Sequence, residues 1–145
     1  SIAAELLSNG ANLSKISENI YGSIEFNALT LQSKIIERIV LNEELQFAHS
    51  IVFQNDYKDY QVEPEETDFL IDVVRLVKES TVALLLKEQS DGSFKGSLRS
   101  RGDMDVQKIA SIFGGGGHVA ASGFSSNQSP EFILEKIEHE IRKSI

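Results

Sequence analysis

The sequence predicts an α/β domain, a mixed β-sheet flanked by helices and preceded by a helical connector. Three observations predict it. Runs with apolar residues at helical spacing alternate with short runs of strand character. One turn signal, Ser90-Asp91-Gly92, joins two strand-like runs into a hairpin. Helical and strand-like segments are interleaved along the chain, which suits a layered mixed sheet.

The elements follow in order. Residues 3 to 41 read as helical. Leu13, Ile16 and Ile20 recur at helical spacing, as do Leu31, Ile35, Ile36 and Ile39. Gly10 and Gly22 punctuate the pieces, and Ser14 can cap one of them. Residues 45 to 53 read as a strand with Phe47, Ile51 and Phe53 on one face. Residues 55 to 64 are polar and turn-like, with room for one short helical turn. Residues 65 to 77 then read as one amphipathic helix, with Phe69, Leu70, Val73, Val74 and Val77 as its stripe. Glu65, Glu66 and Asp68 suit the positive end of its dipole.

Residues 81 to 87 are a buried strand, and residues 93 to 101 return antiparallel to it. Asp105 can cap a helix built on Val106, Ile109, Ile112 and Phe113. The glycine run ends that helix, and residues 123 to 125 make a further short strand. Ser129 and Pro130 supply a cap and a first-turn proline for the last helix, whose buried face is Ile133, Ile137 and Ile141. Two regions result: 1–41, a helical connector, and 42–145, the sheet domain.

Composition narrows the function classes. The 145 residues include no cysteine, so disulfides and thiolate metal sites are excluded, and a reducing, cytoplasmic setting is expected. No apolar run is long enough to span a bilayer and no secretion signal is present, so no membrane partner is expected. The formal net charge of −8 argues against general affinity for nucleic acid. A bound anion would need a local positive site. The chain opens at Ser1 without methionine and reads as helix from Ala3, which suggests a piece of a longer protein.

Two features point to such a site. Period two places Lys95, Ser97, Arg99 and Arg101 on one strand face, with Phe94, Gly96 and Leu98 on the other. Alternating charge of this kind is more often a solvated face. The second feature is FGGGGHVAASGF, residues 113 to 124. If Gly117-His118 opens a helical turn, the N–H groups of Gly115, Gly116 and Gly117 make an anion cradle that glycine leaves open to a phosphate. His118 can donate one more hydrogen bond. The bland alternative is a helix stop and connector, for which one glycine would suffice.

Other motifs fall short. Gly115, Gly117 and Ala120 fit a dinucleotide fingerprint only formally, because a helix precedes them. No Walker lysine follows the run. Arg101-Gly102-Asp103 and the two glycosylation sequons carry meaning only in secreted chains. The Glu138-His139-Glu140 triplet reads as a solvated helix face, and His49 as structural. No metal-spaced Asp/His set and no nucleophile triad is present, so no catalytic residue and no metal ligand is assigned.

The combination Ser97-Leu98-Arg99-Ser100, Asp103, Asp105-Val106, Gly114 to His118, Ala120-Ala121 and Gly123-Phe124 resembles the DHH-associated C-terminal domain. This is the substrate-binding half of the DHH phosphoesterases, here of nanoRNase and pAp-phosphatase type. Residues 3 to 23 are similar to the end of the preceding DHH domain, so the resemblance spans nearly the whole chain. It implies a missing N-terminal DHH domain in cis, which carries two divalent metals, usually manganese, and activates water for attack on phosphorus. Those motifs are absent, so the chain alone is expected to be inactive and to bind no cofactor. The resemblance assigns Arg99 and His118, with weaker matches at Arg101 and Ser97, to the phosphate of a short oligonucleotide, pAp or another phosphate ester. The rival is a nucleic-acid-binding or association module like the C-terminal domain of alanyl-tRNA synthetases, which would carry a broader basic surface.

Overall fold

The computed structural model describes residues 24–145. The helical expectation for residues 3 to 23 lies outside them. The elements run α1 (Phe26–Glu37), β1 (Val40–Asn42), β2 (Phe47–Val52), α2 (Gln54–Tyr60), a 3-10 turn (Pro64–Thr67), α3 (Leu70–Val74), β3 (Val82–Glu88), β4 (Phe94–Ser100), α4 (Val106–Ile112), β5 (Gly116–Gly117), β6 (Ala121–Ser126) and α5 (Pro130–Ser144).

The strands form one mixed sheet in the order β1-β2-β3-β4-β6-β5. Only β2 and β3 are parallel; every other neighbouring pair is antiparallel. A parallel pair needs a crossover connection, which α2, the 3-10 turn and α3 provide. The α/β class with a mixed sheet and flanking helices is therefore the observed one.

Alternation along the strands sorts side chains into two cores. Phe47, Val82, Leu84, Leu86, Phe94, Leu98 and Phe124 pack with Val106 and Ile109 of α4 and with Ile133, Ile137 and Ile141 of α5. The three isoleucines are fully buried. At about 1.5–3 kcal/mol for each such side chain, burial rather than intrinsic propensity docks α5. The opposite face holds Ala48, Val52, Ala83 and Leu85 against Ala28, Leu31 and Ile35 of α1 and against Leu70, Ile71 and Val74 of α3. The central strand β3 is buried on both faces, as a strand between two helical layers must be.

Local chemistry sets several ends. Asp105 caps α4 by accepting from the N–H of Gln107 and Lys108, and Ser129 caps α5 through the N–H of Phe132. Arg38 grips Asp56 through both guanidinium nitrogens (2.6 and 2.8 Å) and also donates to the Ile51 carbonyl at 3.1 Å. The same carboxylate accepts the Phe53 N–H at 2.7 Å, which fixes the start of α2.

Four expectations are corrected. Residues 40 and 41 leave the helix and, with Asn42, form β1, because Leu41 finds a strand partner in Ala48. Phe53 does not continue the β2 face; its N–H turns to Asp56, and its side chain is exposed. Residues 65 to 77 do not make one helix. Thr67 is fully buried and donates to the Pro64 carbonyl, which tightens the first turn to 3-10 before α3 begins. Gly117-His118 opens no helical turn. Gly116 and Gly117 pair with Gly123 and Ser122 as strand β5.

Candidate functional site: an uncovered basic sheet face

Helices α1 to α3 cover the β2–β3 part of their face, and α3 reaches the near edge of β4; beyond it Lys95, Ser125 and Gly116 are exposed. The register defines what lies there. One cross-strand row is Lys95 and Ser125, and the next is Ser97, Gly123 and Gly116. A third row is Arg99 and Ala121. His118 extends it, exchanging backbone hydrogen bonds with Ala121 at 2.8 and 3.2 Å. The sequence-predicted residues Ser97, Arg99 and His118 thus share one face across three strands. Two strand spacings put the Arg99 and His118 backbones roughly 9–10 Å apart.

Between these polar groups the floor is bare. Gly123, Gly116 and Ala121 present almost no side chain to it. The four glycines of the run have different physical reasons. Gly114 takes a left-handed φ of +78° as α4 ends, the usual geometry of a helix stop. A Cβ on Gly115 would sit 2.2 Å from the Gly123 carbonyl oxygen and 2.7 Å from the Phe124 Cβ. A Cβ on Gly117 would also crowd β6, 2.7 Å from the Ala121 carbonyl oxygen. A Cβ on Gly116 would meet nothing within 4 Å. Neither backbone shape nor a neighbour requires glycine there.

The helical-turn cradle expected from the run is replaced by strand β5, and one of its donors is engaged: the N–H of Gly115 donates to Ala110, with those of Gly114 and His118 going to Ser111 and Ala121. The positive charge of this face is carried by side chains.

Those cations are held loosely. Arg99 Nε lies 4.0 Å from Asp72 Oδ1 on α3, and its Nη1 donates to the Leu98 carbonyl at 3.0 Å. Asp72 is itself more than half exposed. Arg101 lies past the end of β4, where it donates to the Arg75 carbonyl. Lys95 is exposed and has no ion-pair partner among the described residues.

One member was missed from sequence. Lys87, next to last in β3, is buried, bonded to Asp68 at 3.1 Å, and stands directly opposite Lys95. The signal was available: counting outward from Asp91 at the hairpin turn pairs residue 87 with residue 95. His49, set aside as structural, lies partly buried beside Phe47, where burial alone lowers its pKa. Among the described residues no group of three His, Asp or Glu side chains is arranged to hold a metal ion. No described helix is long and apolar enough to cross a membrane. This face gathers cations and a hydroxyl around a bare floor; among the described residues it presents no paired nucleophile and base.

Comparison with known proteins places these features. Residues 44–143 match the DHHA1 domain. The curated protein "Bifunctional oligoribonuclease and PAP phosphatase NrnA" of Thermus thermophilus is 28% identical over 148 residues, which cover 99% of this chain and 44% of that protein. A crystal structure of an exopolyphosphatase-related protein from Bacteroides fragilis superposes with a TM-score of 0.82 at 22% identity, covering 98% of this chain and 42% of its own. A pGpG-specific phosphodiesterase, PggH from Vibrio cholerae, superposes at 0.55 with 8% identity, covering 81% and 39%. The last two likenesses are of fold. The chain spans less than half the length of each of these three proteins.

Proposed function

This chain belongs to the DHHA1 domain family, and on that premise we propose that it is the substrate-binding half of a DHH phosphoesterase acting on short oligoribonucleotides or pAp. One observation carries the proposal. An acidic chain leaves one sheet face only partly covered by helices, and the β4–β6–β5 part of it bears Lys95, Ser97, Arg99 and His118 around a floor of glycine and alanine. A terminal phosphate lies on the floor at Gly116 and takes charge-assisted hydrogen bonds from Arg99, with His118 as a further donor. Ser97 adds a hydroxyl from the middle row, and Arg101 contributes long-range charge. Gly115 and Gly117 belong to the reading as supports, holding Gly116 against β6.

The chemistry of cleavage lies elsewhere. Among the described residues no donor set fits the divalent metal, manganese by resemblance, and no step is assigned to one here. A DHH domain in cis brings it, and the chain alone is inactive. The role of this half is positional. An anchored phosphate fixes the scissile ester relative to the opposite wall and limits how much nucleotide fits between, so binding energy far from the bond lowers the entropic part of its barrier. The charge of −8 suits a short substrate better than a long nucleic-acid track. Cytoplasmic placement, in keeping with a cysteine-free chain, is part of the same reading.

The test is an NMR titration of the 145-residue chain with pAp and with a 5′-phosphorylated dinucleotide. Shifts centred on Ser97, Arg99, Gly116 and His118 are expected. Shifts scattered over other surfaces, or none at millimolar ligand, would reject a preformed anchor.

A further inference from the structure

The pair Lys87 and Lys95 is not explained by that anchor. The two face each other across adjacent antiparallel strands, on the same sheet face as Arg99. Like charges directly opposite in a sheet destabilise it. One of the pair is also buried, where an ammonium is costly unless compensated. Compensation within the chain is thin. Lys87 bonds only Asp68, whose side chain is 82% exposed, and Lys95 bonds no carboxylate among the described residues.

The pair borders a depression of about 220 Å³, walled by Tyr57, Pro64, Glu65, Asp68, Lys87, Gln89 and Lys95. Its wall also contains Tyr57, whose hydroxyl is buried next to that of Thr67, itself a donor to the Pro64 carbonyl. Burial raises the Tyr57 pKa, so the phenol keeps its proton and remains a donor. Two ammonium groups, Lys87 held only by an exposed carboxylate and Lys95 by none among the described residues, border one hollow together with Tyr57.

We propose that this hollow is a second anion subsite, which takes a phosphoryl group between Lys87 and Lys95. The proposal extends the reading of Arg99 as a phosphate anchor. Lys95 precedes Arg99 by four residues on the same face of β4, about 13–14 Å along the strand. A ligand that reaches both must carry two phosphoryl groups well separated, as an oligonucleotide does. Asp68 is the internal competitor: it holds Lys87 while the hollow is empty and swings outward when an anion arrives. Glu65, also at the rim, favours a ligand that brings its charge close to the lysines.

The experiment follows amide and lysine Nζ resonances of the 145-residue chain during titration with inorganic phosphate, pAp and 5′-phosphorylated triadenylate. The proteins are the wild type and the variants Lys95→Gln, Asp68→Asn and Arg99→Ala. Inorganic phosphate should move Lys87, Lys95, Gln89 and Tyr57 in wild type and in Arg99→Ala alike. Lys95→Gln should weaken that binding about fivefold, and Asp68→Asn should tighten it by a similar factor. The triadenylate should move both the lysine hollow and the Arg99 row, whereas phosphate alone reports the hollow without a tether. The subsite is overturned if inorganic phosphate leaves these resonances still. It is also overturned if Asp68→Asn weakens binding, which would make Asp68 part of the support. Binding at Arg99 without the hollow sinks this proposal and spares the anchor. Binding at the hollow without Arg99 does the reverse.

Discussion

Alanine scanning of the glycine run separates architecture from function. At Gly115 the new methyl carbon would stand 2.2 Å from the Gly123 carbonyl oxygen and 2.7 Å from the Phe124 Cβ. Both atoms belong to β6, which is pinned on its other side by β4, so the backbone has little room to yield. Overpacking of this kind costs about 1–3 kcal/mol, and with a urea slope of about 1–3 kcal/mol per molar the unfolding midpoint should fall by roughly 1 M. At Gly116 the same methyl meets open space. Stability there should hold or rise by up to about 1 kcal/mol, since alanine narrows the unfolded ensemble. Phosphate affinity should nevertheless fall roughly tenfold, because the methyl occupies the floor and displaces one charge-assisted hydrogen bond. Urea melts of Gly115→Ala and Gly116→Ala, paired with pAp titrations of the latter, make the comparison. Equal destabilisation of the two variants would refute the steric reasoning. Wild-type affinity in Gly116→Ala would refute the floor.

Other predictions concern charge. Arg99→Ala should weaken pAp binding roughly tenfold or more while the amide spectrum keeps its native dispersion; unfolding would instead mark Arg99 as structural. Arg38→Met strands the Asp56 carboxylate, 7% exposed, and should cost about 3 kcal/mol in urea melts. Burial pushes the Asp56 pKa up, but the Arg38 bonds outweigh it and hold the group below its usual 3.8. Its stabilisation is therefore complete above pH 3.8 and is lost as pH falls through the folded value. Asp56→Asn should flatten that acid limb. His49 is depressed below 6.5 by burial, so its contribution is full above pH 6.5 and declines as pH falls. Replacing it with glutamine should flatten the melt midpoint between about pH 7 and about pH 5, and an unchanged slope would remove His49 from the account.

The elements legible in sequence were those fixed by nearby residues. Asp105 and Ser129-Pro130 announce α4 and α5 because caps act within a turn. Alternation placed Lys95, Ser97 and Arg99 on one face because a strand keeps its own period. What depends on distant partners was not legible. Strand β1 has three residues and exists through its pairing with β2. Glycine has no strand preference, so β5 forms only because Gly115 and Gly117 fit tightly against β6. The break before α3 comes from the burial of Thr67. The place of His118 in the cross-strand row of Arg99 needed the hairpin register, and Lys87 was hidden in an apolar run whose last residue looked like a solvated end.

The sheet's two margins bear on how the protein behaves in a crowded solution. The outer strands, β1 and β5, have three and two residues, too short a ladder to recruit a strand from another molecule. Beyond β1, the β2 carbonyl at Ile51 is taken by the Arg38 guanidinium. Arg38 thus acts as a gatekeeper against intermolecular strand pairing as well as a counterion. Its loss should appear as concentration-dependent self-association, even in samples that are still mostly folded.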